Sequence, residues 1–275
     1  MYLISYGTRP ELIKLFPLIN IFKENNIDHK TIFTGQHEDL IKEFENLTHR
    51  PDFVLEKTMK HKQSINSLIY KIINESQKII NSYDCKVIIQ GDAASSFAVA
   101  LSAFNEGKEV IHVEAGLRTH NLRSPFPEEG FRKMISHISN IHFCPTIKSV
   151  ENLKNEGITE NVHLVGNTIV DSCAQIIEKG ESSDYLNELI SSNDDYYLCT
   201  LHRRENINNF QSMWEQLNQI SENKTIIYIK HPSVPNSEDF LGKNIIKLDP
   251  MTYQDMVFAI NLSLIHISEP TRLDD

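Results

Sequence analysis

The chain alternates two kinds of apolar pattern. Short runs rich in β-branched and aromatic residues, such as MYLISYG, KTIFTG, KVIIQGD, EVIHVEAG, IHFCPT and VHLVG, read as strands buried on both faces. Between them lie amphipathic stretches, among them PELIKLFPLINIFKEN, SINSLIYKIINESQKIINSY, SSFAVALSAFNEG, EEGFRKMISHI and NTIVDSCAQIIEKG, whose apolar positions recur at helical spacing. Strand–helix alternation at this interval predicts an α/β protein with a parallel sheet covered on both faces, so residues 1–168 read as one doubly wound, Rossmann-like domain. A polar crossing, EKGESSDY, follows. A second and shorter series, YYLCTLH, FQSMWEQLNQI, KTIIYIKH, NIIKLDP and TYQDMVFAI, predicts about half of another such domain over residues 169–261.

Composition narrows the partners. The 275 residues carry 27 Lys+Arg against 37 Asp+Glu, a net charge of −10, which offers no basic field for nucleic acid but leaves room for a basic cleft that takes a phosphate-bearing metabolite. Cys85, Cys144, Cys173 and Cys199 are scattered, without CxxC pairs, and read as buried reduced thiols. No apolar run reaches the roughly 20 residues needed to span a bilayer, and the start MYLISYG lacks a charged leader, so a soluble cytoplasmic protein is expected. Twelve histidines show neither HExxH nor Cys/His ligand spacing, so no metal is expected.

Ligands of open α/β sheets gather at the carboxyl ends of the strands. Those positions are polar here: Gly7, Thr8, Arg9, Pro10 and Glu11 after the first strand, Gly91 and Asp92 after KVIIQ, Glu114 after EVIHV, and His202, Arg203, Arg204 and Glu205 after YYLCTL. The loop leading into EEGFRKMISHI adds Arg118, Arg123, Glu128, Glu129 and Arg132. Each has a plain structural reading beside the functional one. Glu128 and Glu129 would complement a helix dipole, Asp92 would cap a helix, and His202 would be a buried strand-end histidine. Their coincidence at one rim favours a phosphorylated, oxygen-rich substrate, held by arginine and worked on by carboxylates that stabilise oxocarbenium character and move protons. The first turn, GTRPE, is not GxGxxG, and no GxxxxGK[ST] occurs, which speaks against nicotinamide and P-loop cofactors.

GTRPELIK (7–14), TGQH (34–37), GDAASS (91–96), HVEAGLRT (112–119), SPFPEEGFR (124–132), GNTIVD (166–171) and HRREN (202–206) run in one order across nearly all of residues 1–261. In these motifs the chain resembles the bacterial non-hydrolysing UDP-N-acetylglucosamine 2-epimerases. The resemblance implies a glycosyltransferase-B-type fold of two Rossmann-like domains, usually as a homodimer, without a cofactor. It implies interconversion of UDP-GlcNAc and UDP-ManNAc for surface polysaccharides, by anti elimination of UDP to 2-acetamidoglucal and re-addition. By resemblance Asp92, Glu114, Glu128 and His202 match catalytic positions, and Arg9, Lys14 and Arg132 lie in substrate-binding motifs. Gln36, His37, Arg203 and His231 match an effector pocket that takes a second UDP-GlcNAc in some members. A related UDP-acetamido sugar, a hydrolysing epimerase and a non-catalytic nucleotide-sugar-binding module remain alternatives.

The second domain departs from that pattern. After His202 the only glycine is Gly242, so the serine- and glycine-rich turn that holds UDP in the family has no counterpart. The chain continues instead as LSLIHISEPTRLDD, which taken alone reads as a short strand and a polar tail. The string LSLIHISEPTR also resembles a translated sequencing adapter. Residues 262–275 are therefore expected to be an adapter-derived artefact and the chain a truncated, inactive fragment of its parent.

Overall fold

The computed structural model describes residues 1–35, 42, 44–45, 47–55, 58, 63–193, 195–201, 210–230 and 242–268. It divides into two compact units, residues 1–172 and 173–275. In the first unit the elements follow the order β1 (Tyr2–Tyr6), α1 (Arg9–Glu24), β2 (His29–Phe33), β3 (Phe53–Val54), α2 (Ile65–Asn81), β4 (Lys86–Gln90), α3 (Ala94–Asn105) and β5 (Val110–Val113). Then come α4 (Glu128–Ile138), β6 (Ile141–Cys144), α5 (Ile147–Asn155), β7 (Val162–Leu164) and α6 (Thr168–Lys179), the last of which runs on into the second unit. The seven strands pair in the order β3-β2-β1-β4-β5-β6-β7, every pair parallel.

This order has a physical consequence. The chain winds outward from β1 in one direction through β2 and β3, then returns to start again at β4 on the other side. At that reversal the connections leave in opposite directions and open a crevice beyond the strand ends. The sheet itself is held by burial: Leu3, Ile32, Val87, Ile89 and Val110 on one face are closed from water and pack with Ile72, Ile80, Val99, Phe131 and Ile135 of the covering helices. Phe97 and Phe131 stack at 4.9 Å between ring centroids and join α3 to α4.

Local signals place the loops at this rim. Thr8 and Glu11 form a capping box at the start of α1. Gly116, just after β5, has φ +84°, and a Cβ there would lie 2.3 Å from the Ser149 carbonyl oxygen, so only glycine lets this turn pack against α5. Three of the four cysteines are buried and none forms a disulfide.

The second unit contains α7 (Asp184–Ser191), β8 (Tyr196–Leu201), α8 (Phe210–Ser221), β9 (Thr225–Lys230), β10 (Ile245–Leu248), α9 (Tyr253–Leu262) and β11 (Ile265–Ser268). Its strands pair in the order β10-β9-β8-β11, all parallel, with Trp214 of α8 packed edge-on against Tyr228 of β9 at 4.9 Å. The tail segment LSLIHIS thus supplies a strand, β11, with Ile265 opposite Tyr197 and Ser268 opposite Thr200. Ile265, His266 and Ser268 are exposed, whereas Leu198, Ile227 and Tyr228 in the middle of the sheet are buried. No helix among the described residues is long and apolar enough to cross a membrane.

Candidate functional site

The rim of the first unit is built on a buried carboxylate. Glu11 in the first turn of α1 is only 2% exposed; its Oε2 accepts the backbone N–H groups of Gly7 at 3.0 Å and Thr8 at 2.6 Å. Ser95 donates to it from 3.1 Å, and Ser96 donates both to Glu11 and to the Gln90 carbonyl. One acid therefore ties the turn after β1 to the start of α3, across the reversal point of the sheet.

Above this anchor stands Glu114. It follows β5 directly and holds φ +66°, a left-handed conformation that costs a non-glycine residue energy and that clusters at functional positions. Its carboxylate receives Lys14 Nζ at 2.7 and 2.6 Å on its two oxygens and Asn167 Nδ2 at 3.0 Å, with Gln90 Nε2 as a further donor. Lys14 and Glu114 side chains are 23% and 11% exposed, so the pair is partly withdrawn from water yet open to a ligand. Four hydrogen bonds from three side chains hold this carboxylate from three directions: α1, β4 and the start of α6.

Asp92 lies one residue beyond Gly91, whose φ is +72°. Arg132 of α4 directs Nε at Asp92 Oδ2 from 2.9 Å, with Nη2 on the same oxygen. Arg132 Nη1 also reaches Glu129 Oε2 at 3.2 Å. Asp92 and Glu114 thus stand at the ends of the adjacent strands β4 and β5, each carboxylate against one cation. Glu128 opens α4 and is partly exposed, and Arg9 opens α1 at the exposed rim. His202, Arg203, Gln36, His37 and His231 lie outside the described residues.

The loop after β5 is clamped from below. Arg118 is fully shielded and forms a fork onto Glu156, Nε to Oε1 at 2.9 Å and Nη2 to Oε2 at 2.6 Å, while Nη2 also donates to Ser136 at 3.0 Å. The Arg118 guanidinium, joined by Lys133, holds the Glu156 carboxyl down to about 2 against the opposing effect of burial. Beneath the same loop two histidines face each other on paired strands, His112 of β5 and His142 of β6. Burial pushes His112 down to about 3, opposed by its Nε2 contact with the Gly91 carbonyl at 2.9 Å, and pushes His142 down to about 4, reinforced by the Arg118 charge.

These histidines set a sign for acid stability. Both are neutral in the folded protein, but each takes up a proton near 6.5 once unfolded, so the unfolded state binds more protons below 6.5 and is favoured as pH falls. Each buried imidazole contributes a slope of about 1.4 kcal/mol per pH unit between its unfolded and folded values. Glu156 acts at lower pH: its stabilisation is complete above its unfolded value of 4.5 and is lost as pH falls through about 2. Urea titrations between pH 6.5 and 4.5 are expected to show stability falling with acid, and His142→Phe is expected to reduce that slope by about half.

Two contributors were not legible as site residues: Gln90 looks like the polar end of an apolar strand, and Asn167 lies in GNTIVD without an assigned contact. Glu129 stands among the rim residues that the sequence offers, with a dipole-complementing reading beside the functional one. The signal that could have found Gln90 and Asn167 is their placement at strand ends of the same sheet. Among the described residues no cluster of His, Cys, Asp and Glu has the geometry to hold a metal ion.

Comparison with known proteins bears on the fold and the family. A family model for UDP-N-acetylglucosamine 2-epimerase matches residues 20–269. The UDP-N-acetylglucosamine 2-epimerase of Campylobacter jejuni is 33% identical over 97% of this chain and 76% of its own length. The solved structure of the Methanocaldococcus jannaschii UDP-GlcNAc 2-epimerase superposes with a TM-score of 0.87 at 31% identity, covering 98% of this chain and 79% of that one. The Neisseria meningitidis UDP-GlcNAc 2-epimerase, solved with UDP-GlcNAc bound, gives 0.82 at 30% identity over 98% of this chain and 77% of that one. The chain therefore spans about three quarters of the length of each. The fold class is glycosyltransferase-B-like, two parallel α/β units as the strand–helix alternation and the motif resemblance predict.

Proposed function

The chain belongs to the UDP-N-acetylglucosamine 2-epimerase family, and from that membership we propose that its parent protein interconverts UDP-GlcNAc and UDP-ManNAc by elimination and re-addition of UDP. The observation that carries the reading is the pairing of Asp92 and Glu114 at neighbouring strand ends, each facing a cation, Arg132 or Lys14.

The chemistry asks for this. The hydrogen at C2, on the carbon that bears the acetamido nitrogen, is a weak acid, so its removal must be coupled to departure of a good leaving group. In the forward direction a base takes the C2 proton, the C2–H electrons form the C1=C2 bond, and the C1–O bond breaks to release UDP. In the return direction UDP oxygen attacks C1 and a proton reaches C2 from the opposite face. Two proton-transfer groups on different sides of C2 are therefore required, along with cations for the diphosphate charge. Asp92, Glu114, Glu128 and His202 are the proposed proton-transfer set, and Arg9, Lys14 and Arg132 the proposed cations, with Gln36, His37, Arg203 and His231 proposed for an effector UDP-GlcNAc. Lys14 has a dual place in this reading. While it sits on Glu114 it covers both carboxylate oxygens, and moving to the substrate diphosphate would bare Glu114 for proton transfer.

We place the reaction in the cytoplasm, supplying surface polysaccharide precursors, and propose a homodimer. The exposed groove of about 480 Å³ lined by Ile65, Ile69, Leu122, Phe126, Phe131 and Met134 is the face offered for the second copy. Residues 262–275 remain proposed as adapter-derived on the likeness of LSLIHISEPTR, against a family match that runs to residue 269 and the pairing of Ile265–Ser268 with β8; an independent read of the locus that returns the same codons would sink that idea.

The decisive test is isotopic. Turnover in D2O by the protein expressed from the independently read locus is expected to place one deuterium at C2 of both UDP sugars, with 2-acetamidoglucal and UDP detectable as released intermediates. Interconversion with the C2 hydrogen retained would rule out the elimination route.

A further inference from the structure

Glu129 is a buried acid that the proposed chemistry leaves without a part. It occupies the first turn of α4, where an acid complementing the helix dipole is expected to be solvated, yet its side chain is fully shielded from water. Both of its oxygens are engaged: Oε1 accepts the His120 N–H at 3.1 Å, and Oε2 accepts the Thr119 N–H at 3.1 Å and Arg132 Nη1 at 3.2 Å. Burying an unneutralised carboxylate is costly, so the site exists only because Arg132 and two backbone donors compensate it. Arg132 in turn spends Nε and Nη2 on a single oxygen, Asp92 Oδ2. All three guanidinium nitrogens are thus committed to two acids. Because the guanidinium is a rigid planar fork, fixing Nη1 on Glu129 fixes where the other edge points.

From these contacts we infer that Glu129 is a positioning residue for the epimerase reaction, holding Arg132 so that it fixes Asp92 through Oδ2. Two of the three guanidinium nitrogens thus hold Asp92 by the one oxygen, Oδ2, which sets the direction of the carboxylate. The same carboxylate closes the turn at Thr119 and His120, the latter at φ +61°, and so couples the loop after β5 to the acid after β4. Glu129 is neither a substrate ligand nor a simple helix-dipole acid in this arrangement; it acts through Arg132. The inference rests on the reading of Asp92 as a proton-transfer group.

The experiment has an activity arm and a spectroscopic arm. In the active protein, Glu129→Gln is expected to lower kcat on the order of 10²-fold, the cost of misplacing a catalytic group by about 1 Å, with KM changed less than threefold. The Glu129→Gln/Arg132→Ala double variant is expected to lose no more than Arg132→Ala alone, because both act on one chain of contacts. Multiplicative losses, or an unaltered kcat in Glu129→Gln, would overturn the inference. If Glu129→Gln fails to fold, Arg132→Lys makes the same test from the other end. An ammonium cannot span both acids, so a similar kcat loss with KM changed less than threefold is expected; a wild-type kcat, or a loss carried by KM as for a diphosphate ligand, would overturn it.

The spectroscopic arm needs no turnover. With ¹⁵N-labelled arginine in the 275-residue chain, the Arg132 Nε–H signal is expected to be slow to exchange and to be lost in Glu129→Gln. Its persistence in that variant overturns the positioning role whatever Asp92 does. Asp92→Asn with wild-type turnover sinks the reading of Asp92 itself, a failure distinct from that of the contact chain.

Discussion

Glu114→Gln is expected to lower both epimerisation and C2 hydrogen exchange by about 10²–10⁴-fold, the contribution of one positioned proton-transfer group. The substitution keeps the shape of the side chain, and the left-handed backbone at φ +66° is as strained for glutamine as for glutamate. What changes is the chemistry: an amide cannot accept a proton from C2, and its NH2 end must turn toward Lys14, Gln90 or Asn167, all of which donate to the native carboxylate. The Lys14 ammonium then loses its anionic partner and is expected to bind diphosphate at least as tightly as before. The diagnostic result is therefore a fall in kcat with KM unchanged or lowered, measured on protein whose circular dichroism matches the native chain. A variant that retains more than a tenth of wild-type exchange would remove Glu114 from the proton-transfer set.

Glu11→Ala is expected to be the most destabilising single change at the rim without touching any proposed proton-transfer group. The alanine strands the Gly7 and Thr8 N–H groups and the Ser95 and Ser96 hydroxyls, which the buried carboxylate now receives. The serines can rotate toward other acceptors, as Ser96 already does toward the Gln90 carbonyl at 2.6 Å. The two backbone donors cannot, and at roughly 1–3 kcal/mol for each stranded group the loss is about 2–6 kcal/mol. In a unit of 172 residues each kcal/mol shifts Tm by roughly 2–4 °C, so thermal unfolding is expected to fall by about 5–20 °C. Glu11→Gln separates charge from connectivity: its carbonyl serves one backbone donor and its NH2 group opposes the other, giving a smaller but distinct loss. A Tm within 2 °C of the native value in Glu11→Ala would show that the contacts carry no net stability.

How much of this was legible before folding differs by level. Period-two and continuous apolar runs marked β1, β4, β5, β6, β8 and β9, because a strand of a parallel sheet is buried on both faces and leaves a run of Val and Ile that no exposed segment tolerates. The rim acids followed from position alone, since a residue immediately after such a strand must emerge at its carboxyl end. Their partners did not follow. Lys14 and Glu114 are 100 residues apart, Asp92 and Arg132 are 40 apart, and no local pattern states that a guanidinium on one helix will meet a turn on another strand. The strand β11 shows a different gap. LSLIHI alternates as a strand should, and its parallel register beside β8 emerges only once a neighbouring edge with open N–H and C=O groups is present.

The sequence by itself determined the class of the fold, the family and the rim on which the chemistry-bearing residues fall, because periodicity and motif order are properties of neighbours along the chain. The tertiary structure decided which acid does what. Glu11, Glu114 and Glu129 are the same residue type at similar strand-end and helix-start positions, yet one is sealed as an anchor, one stays partly open beneath Lys14, and one is buried to hold an arginine. Those fates are set by desolvation and by donors converging from α1, α3, α4 and α6. Both quantities depend on distance in space, which a linear pattern does not encode.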